Sequence, residues 1–182
     1  MKRAAIFMAD GCEEIEGLTA VDILRRAGIE IDMVSIGKDE KINGSHGIVF
    51  FADAVISGFK PDDYDAFIIP GGKKGTENLL ASEAVKSILK TAFEEGKLVA
   101  AVCAAPTVLG AAGILKEKKA TCYPGFEDRL DCKTFSEERV VVDGNVITSR
   151  GMGTSIEFAL AIVRYLEGAE KADTISKGII FR

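Results

Sequence analysis

The chain has 182 residues, a formal net charge of −5 and a hydrophobic content of 47%. That length and composition predict one domain, residues 1–182, which can bury roughly 70% of its unfolded surface without a disulfide or a metal ion. The negative charge, with no cluster of lysine and arginine, disfavours specific nucleic-acid binding. No apolar segment approaches the ~18 residues of a membrane-spanning helix, so we expect no membrane association.

Cysteine and histidine usage bears on redox state and metal binding. The chain has a single histidine, and its four cysteines show no paired short spacing: Cys12, Cys103, Cys122 and Cys132. These residues offer too few ligands of the usual kinds for a zinc site. We therefore expect no metal, no cofactor and reduced thiols in a cytoplasmic protein. The first apolar run, residues 4–9, is too short for the core of a signal peptide.

The stretch around Cys103 has the pattern of a strand, a sharp turn and a helix. Five uninterrupted apolar residues, Leu98 to Val102, predict a strand buried on both faces of a parallel sheet. Pro106 suits the first turn of the helix that follows. The small residues Ala101 and Ala105 permit a tight turn that lifts the cysteine out of the sheet edge. At that position we expect the helix amides to lower the pKa of the thiol.

A buried, inert cysteine is the alternative interpretation of this stretch. Free cysteines are usually buried and behave as small apolar residues, and the segment around Cys103 is rich in alanine. On composition alone, this structural role is favoured. A functional role for Cys103 therefore depends on what the other segments place beside it.

The remaining segments alternate between strand-like and helix-like patterns. Strands are expected at residues 4–8, 29–36, 47–51, 64–69, 120–122, 140–142, 146–148 and 178–181, and helices at about 11–27, 82–95, 154–166 and 169–177. This alternation predicts an α/β sandwich with a largely parallel sheet. A polar connection is expected at residues 38–45.

Three of the predicted helices begin with capping signals. Asp10 with Glu13, and Thr154 with Glu157, have the spacing of a capping box. Ser82 is expected to cap the helix that leads towards the Cys103 strand. These signals fix where the predicted helices begin.

Four unusual loops follow predicted strands, at residues 10–16, 70–75, 103–106 and 149–153. Since ligands bind beyond the carboxyl ends of parallel strands, we expect these loops to converge. In that arrangement Cys103 is the candidate nucleophile, and Glu16 bonds its sulfur or relays a proton. The amides of Gly72 and Ala104 are then placed to hold negative charge. This convergence favours a functional Cys103.

Four ordered segments resemble the hallmark segments of the ThiJ/PfpI superfamily, in the branch of the Parkinsonism-associated deglycase: Ala9–Glu16, Ile69–Gly72, Ala101–Pro106 and Thr148–Thr154. The resemblance implies a flavodoxin-like fold with a nucleophile-elbow cysteine, a homodimer, and a cysteine that oxidises readily to sulfinic acid. It places the reactive cysteine at Cys103 and its protonated glutamate partner at Glu16. It also places the amides that hold the oxidised sulfur at Gly72 and Ala104.

The resemblance implies a cysteine-dependent glyoxalase or deglycase, in which a Cys103 thiolate assisted by Glu16 acts on the small aldehyde methylglyoxal or on its early glycated adducts. The first alternative is a non-enzymatic redox sensor or chaperone switched by oxidation of Cys103. A cysteine hydrolase or amidotransferase is less favoured, because Tyr123 stands where many members have histidine and neutral tyrosine is a poor general base near pH 7.

Four further residues are expected to line the pocket without taking part in the reaction itself. Gly71 and Arg150 lie in the hallmark segments, and Tyr123 lies at the departure described above. His46 stands about where the deglycase branch has an arginine contributed across the dimer. We expect His46 to act as a structural residue or as a polar group at the pocket rim.

Overall fold

The computed structural model describes residues 1–181. Its strands are β1 (Arg3–Met8), β2 (Glu30–Ser35), β3 (Lys41–Asn43), β4 (Val49–Phe51), β5 (Ala54–Val55), β6 (Ala66–Ile69), β7 (Leu98–Val102), β8 (Lys119–Ala120), β9 (Thr134–Phe135), β10 (Val140–Asp143) and β11 (Val146–Ser149). Its helices are α1 (Glu14–Arg26), α2 (Lys73–Ala81), α3 (Glu83–Glu94), α4 (Pro106–Ala111), α5 (Ser155–Glu167) and α6 (Ala169–Gly178). Within residues 1–181, no helix has both the length and the apolar character needed to cross a membrane.

The central sheet has seven strands in the order β10-β11-β7-β6-β1-β2-β5. Neighbouring strands pair in parallel except for β10 and β11, which form the predicted antiparallel hairpin. The inner order β2-β1-β6-β7-β11 is that of the flavodoxin-like doubly wound sheet, in which ligands bind beyond the strand carboxyl ends. The predicted α/β sandwich is therefore confirmed.

Two apolar cores lie on the opposite faces of the sheet. Ile6 and Phe7 are consecutive residues of β1, both fully buried, and they belong to different cores. The Ile6 core includes Phe158 of α5, whereas the Phe7 core includes Leu89 of α3 and Val108 of α4. Helix layers on both faces explain why the strands are continuously apolar rather than alternating. The layers hold β1, β6 and β7 rigidly below the loops that follow them.

Four elements are absent from the sequence-based assignment: β3, β5, β9 and α2. The segment expected as a polar connection contains β3, which pairs with β4 in an antiparallel ribbon and buries a single apolar side chain, Ile42. The residues after Gly72 form helix α2, which buries Leu79. One apolar side chain in a polar segment produces no clear periodicity, so the short β3 strand left little signal.

The strand predicted at residues 178–181 is wrong. Helix α6 extends to Gly178, and the amides of Ile179 and Phe181 donate to the carbonyls of Ile175 and Ser176. The helix end uses these amides, so they are not available to a sheet. The strand predicted at residues 120–122 is also shorter than expected, because β8 ends at Ala120.

Of the three predicted caps, one is confirmed. The Ser82 hydroxyl accepts a hydrogen bond from the Val85 amide at 3.3 Å. Asp10 does not cap α1, because its carboxylate instead accepts from the amide and side chain of Asn43 in β3, at 2.8 and 3.1 Å. The Asp10 carboxylate oxygen that was predicted to cap α1 is therefore bonded to a residue of β3 instead.

The capping box at Thr154 and Glu157 is also wrong. The Thr154 hydroxyl lies in the preceding turn, where it accepts from the Gly151 amide at 3.1 Å and lies 2.6 Å from the Ser149 hydroxyl. Glu157 forms an ion pair with Arg139 at 2.7 Å. Helix α5 therefore begins at Ser155 without a side-chain cap.

Candidate functional site

Cys103 occupies the turn between β7 and α4. Its φ of 65° lies in the left-handed region, which a non-glycine residue adopts only under strain from its surroundings. The Cys103 amide donates to the Ser149 carbonyl at 2.9 Å, and its carbonyl accepts from the Tyr123 amide at 2.8 Å. These two bonds hold the backbone in the strained conformation. The predicted strand, turn and helix around this thiol are present.

Glu16 lies in the first turns of α1 and is 1% exposed. Its Oε2 accepts a hydrogen bond from the Gly71 amide at 2.8 Å. The Cys103 side chain lies beside this carboxyl group, and each group shifts the pKa of the other. The structure thus brings together the loops after β1, β6 and β7, as the strand topology predicts.

Two glycines after β6 allow this close approach. A Cβ atom at Gly71 would lie 2.6 Å from both the Cys103 Cβ and the Glu16 Oε2, so a larger residue would push the pair apart. Gly72 has a φ of 86°, and a Cβ there would lie 2.5 Å from the Gly11 carbonyl oxygen. With this backbone, the amides of Gly72 and Ala104 lie near the Cys103 sulfur and act to lower the pKa of the thiol.

Burial dominates the acid–base properties of the pair. It raises the pKa of Glu16 from an ordinary 4.5 to about 7, against hydrogen bonds from Cys103 and Gly71 that lower it. Burial, with the adjacent Glu16 carboxylate, raises the pKa of the Cys103 thiol to about 12. The sequence-based prediction of a lowered thiol pKa is therefore wrong. The amides of Gly72 and Ala104 do lower it, but they do not outweigh removal of the thiol from water.

Arg150 and Tyr123 flank the site in different ways. Burial raises the pKa of Cys122 to about 12, with the charge of Glu127 adding to this and the charge of Arg150 opposing it. Arg150 therefore acts on the buried thiol of Cys122, and its Nη1 is buried with no hydrogen-bond partner among residues 1–181. Tyr123 contributes its backbone amide to the Cys103 turn, while its side chain is half-exposed.

His46 contacts the start of α1. Its amide donates to Glu14 Oε1 at 2.7 Å, and its Nδ1 lies 2.9 Å from the Ser45 Oγ. Glu14 is an acid in the first turn of α1, yet it is only 2% exposed. No local pattern predicts this cluster, because its two halves lie about thirty residues apart and meet only when β3 and β4 pack beside α1.

The four thiols differ in accessibility. All are free; Cys12 and Cys122 are buried, whereas Cys103 and Cys132 are partly exposed. A reagent in solution therefore reaches Cys103 and Cys132 first.

Comparisons with known proteins agree with this architecture. A model of the DJ-1/PfpI family matches residues 2–165. A Danio rerio protein named Parkinson disease protein 7 homolog is 42% identical over 185 residues, covering 100% of this chain and 98% of that protein. A Caenorhabditis elegans protein named as a glutathione-independent glyoxalase is 35% identical, covering 92% and 90%. A solved structure of oxidized Toxoplasma gondii DJ-1 superposes with a TM-score of 0.96 at 37% identity, covering 100% and 99%. The chain belongs to the DJ-1/PfpI family.

Proposed function

We propose that this protein is a cofactor-independent glyoxalase that converts methylglyoxal to lactate through Cys103 and Glu16. The observation that carries the proposal is that the Cys103 side chain and the buried Glu16 carboxyl meet at Gly71, where a single Cβ atom would lie 2.6 Å from both, with the amides of Gly72 and Ala104 near the same sulfur. The relative named as a glutathione-independent glyoxalase supports the same class of reaction.

The pKa of Glu16 suits a group that both takes and returns a proton. At about 7 it lies near neutral pH, where a general base and its conjugate acid are both available. Because the Cys103 thiol holds its proton at that pH, the thiolate forms by transfer of this proton to Glu16 as the sulfur attacks. The amides of Gly72 and Ala104 stabilise the negative charge on sulfur during the transfer.

The reaction needs no oxidant or reductant. The Cys103 sulfur adds to the aldehyde carbon of methylglyoxal, and the thiol proton passes through Glu16 to the aldehyde oxygen, which gives a hemithioacetal. Glu16 then removes the proton from the former aldehyde carbon, which gives an enediolate, and returns a proton to the adjacent carbon. The hydroxyl proton on the former aldehyde carbon passes to the oxygen of the adjacent carbon, which gives a lactoyl thioester. Water hydrolyses the thioester, releases lactate and restores the thiol.

The direct test is lactate formation by purified protein and methylglyoxal without glutathione. We expect lactate to appear in proportion to the methylglyoxal consumed. Methylglyoxal loss without lactate, or an absolute need for glutathione, would overturn the proposal. Preformed early adducts of methylglyoxal test the deglycase alternative. If the protein breaks these adducts down no faster than they break down spontaneously, free methylglyoxal is the substrate.

A redox-switched sensor or chaperone is the second candidate, supported by the oxidized form of the Toxoplasma gondii relative. With hydrogen peroxide as oxidant, we expect Cys103 to reach sulfinic acid before Cys132, although both thiols are partly exposed. The amides of Gly72 and Ala104 are placed to bond the new oxygens, and the buried Glu16 carboxyl lies beside the same sulfur. Cys132 has backbone amides near it, its own and that of Thr134, but no buried carboxyl group. Peptide mapping by mass spectrometry measures both positions. Equal oxidation of the two would count against this candidate.

We also propose that the protein forms a homodimer through an apolar groove between α1 and α5. Ile15, Ile48 and Ile156 line this groove and are 50%, 53% and 36% exposed. Exposed apolar patches of this kind mark interaction surfaces.

Ile156→Asp is expected to convert the dimer to a monomer in sedimentation equilibrium. Val142→Asp, at an equally exposed apolar residue of edge strand β10, should leave the dimer intact. A wild-type monomer would refute the proposal.

A further inference from the structure

A second polar cluster lies beside α1, apart from the Cys103 and Glu16 pair. It consists of one oxygen from each of Glu13 and Glu14 and one ring nitrogen of His46, all within 4.8 Å of one another. The His46 Nδ1 lies 3.4 Å from the Glu13 Oε2 and 3.3 Å from the Glu14 Oε2. The Ser45 Oγ lies within 3.2 Å of each of these three atoms. Two carboxylates and an imidazole thus converge on one point.

The spacing of these atoms is that of ligands around a small tetrahedral ion. Zinc bonds to nitrogen and oxygen measure about 2.0–2.2 Å, which places neighbouring ligand atoms of a tetrahedron about 3.3–3.5 Å apart. The separations of His46 Nδ1 from the two carboxylate oxygens, 3.4 and 3.3 Å, fall in that interval. The third separation, between the Glu13 and Glu14 oxygens, is at most 4.8 Å, so an ion would draw these two carboxylates together.

The charge balance of the cluster favours a cation. The Glu13 and Glu14 side chains are only 14% and 3% exposed, and among residues 1–181 neither pairs with a lysine or arginine. His46 supplies at most one positive charge for two carboxylates. The Ser45 hydroxyl has a single hydrogen, although three acceptor atoms surround it. The two shielded carboxylates therefore carry more negative charge than one imidazole can balance, and a divalent ion would compensate it.

Glu14 is held in the orientation that a ligand requires. Its Oε1 accepts from the amides of His46 and Ile48, at 2.7 and 3.4 Å, which leaves Oε2 directed at the cluster. A Cβ at Gly44 would overlap the Glu14 carboxylate, so glycine allows the approach. Such supporting bonds are typical of metal ligands.

We propose that Glu13, Glu14 and His46 bind a divalent transition metal ion, for which Zn²⁺ is the best match. The ligand atoms are Glu13 Oε2, Glu14 Oε2 and His46 Nδ1, and water takes the fourth position. The His46 side chain is 71% exposed, so the ion enters from solvent along the imidazole. The site does not depend on the proposed glyoxalase activity. An inventory of cysteine and histidine alone missed it because carboxylates supply two of its three protein ligands.

The single histidine of the chain makes the proposal directly testable. Zinc chloride is titrated into full-length protein carrying Cys103→Ser and Cys132→Ser, which removes the accessible thiols as competing ligands. We expect calorimetry to show one ion per chain and nitrogen NMR to show a shift of the His46 Nδ1 signal. His46→Ala should abolish binding, and Glu13→Gln should weaken it by about tenfold or more. Glu30→Gln, at an exposed acid of β2, is the matched control and should bind as the parent does.

Three results would overturn the site. They are an unshifted Nδ1 signal in a large excess of zinc, equal affinity in the parent and in His46→Ala, and equal weakening by Glu13→Gln and Glu30→Gln. Because His46 lies at the surface, its replacement should leave the fold intact, and thermal unfolding in a chelator verifies this. Added zinc should raise the unfolding temperature of the parent and leave that of His46→Ala unchanged.

Discussion

Replacement of Cys103 by serine is expected to lower lactate formation from methylglyoxal by roughly three orders of magnitude or more, because a serine hydroxyl is a far poorer nucleophile than a thiolate formed beside Glu16. The fold should persist, since serine is nearly isosteric with cysteine and the turn is held by backbone bonds to Ser149 and Tyr123. We expect the free energy of unfolding to change by about 1 kcal/mol or less. Steady-state kinetics and urea unfolding measure the two quantities.

Cys132→Ser is the matched control for that experiment. It makes the same chemical change at the other partly exposed thiol and should leave the rate unchanged. If Cys103→Ser forms lactate at an undiminished rate, the covalent mechanism is wrong. If both variants lose activity equally, the loss comes from a general effect on the protein and not from the nucleophile.

Replacement of Glu16 by glutamine should lower the rate of lactate formation by about a hundredfold or more, because the amide cannot take the thiol proton or move protons between substrate carbons. Glutamine keeps the size of the side chain and can still accept from the Gly71 amide. In the wild type, kcat/KM should rise as pH passes through about 7, where Glu16 ionises. In the variant this rise should be absent. An identical pH profile in both proteins would rule out Glu16 as the base.

The same substitution should stabilise the protein at neutral and alkaline pH. The folded pKa of Glu16, about 7, lies above its ordinary value of 4.5, so the folded state retains a proton that the unfolded state releases. Wild-type stability therefore falls as pH rises from about 4.5 to 7 and is constant with respect to this group above that. The glutamine variant should be more stable by about 3 kcal/mol above pH 7 and gain nothing below pH 4.5.

Glu14→Gln, on the same helix, is expected to change the pH dependence of stability in the opposite direction to Glu16→Gln. The folded pKa of Glu14, about 2, lies below its ordinary value of 4.5, because hydrogen bonds from His46 outweigh burial. Its carboxylate stabilises the fold above pH 4.5, and that contribution disappears as pH falls through about 2. Measured in a chelator, Glu14→Gln should be less stable than wild type at neutral pH. Parallel pH trends in the two variants would contradict both assignments.

Most of the backbone structure around Cys103 could be predicted from local sequence patterns. The apolar run from Leu98 to Val102 and the proline at position 106 predict the strand, turn and helix, and the structure has them at those residues. Convergence of the loops follows from one rule, because parallel strands present their carboxyl ends at the same sheet edge. The contact between Glu16 and the Gly71 amide is a consequence of that topology.

Other predictions failed where a residue had two possible partners. Asp10 and Thr154 match helix caps, but each bonds outside its helix, to Asn43 and to the Ser149 turn. The apolar residues after Gly178 match a short strand, yet their amides close the end of α6. Local spacing shows which bonds a residue can make. The packing of distant segments decides which of them it does make.

The sequence by itself determined the main alternation of strands and helices and the position of the thiol at a sheet edge, because periodicity and turn residues are local properties. Only the tertiary structure decided the acid–base state of the Cys103 and Glu16 pair, since removal from water depends on everything packed around it. Tertiary structure also placed His46 against Glu13 and Glu14, residues that no motif connects. Proton affinity and ligand geometry depend on distances between segments far apart in sequence, and folding sets those distances.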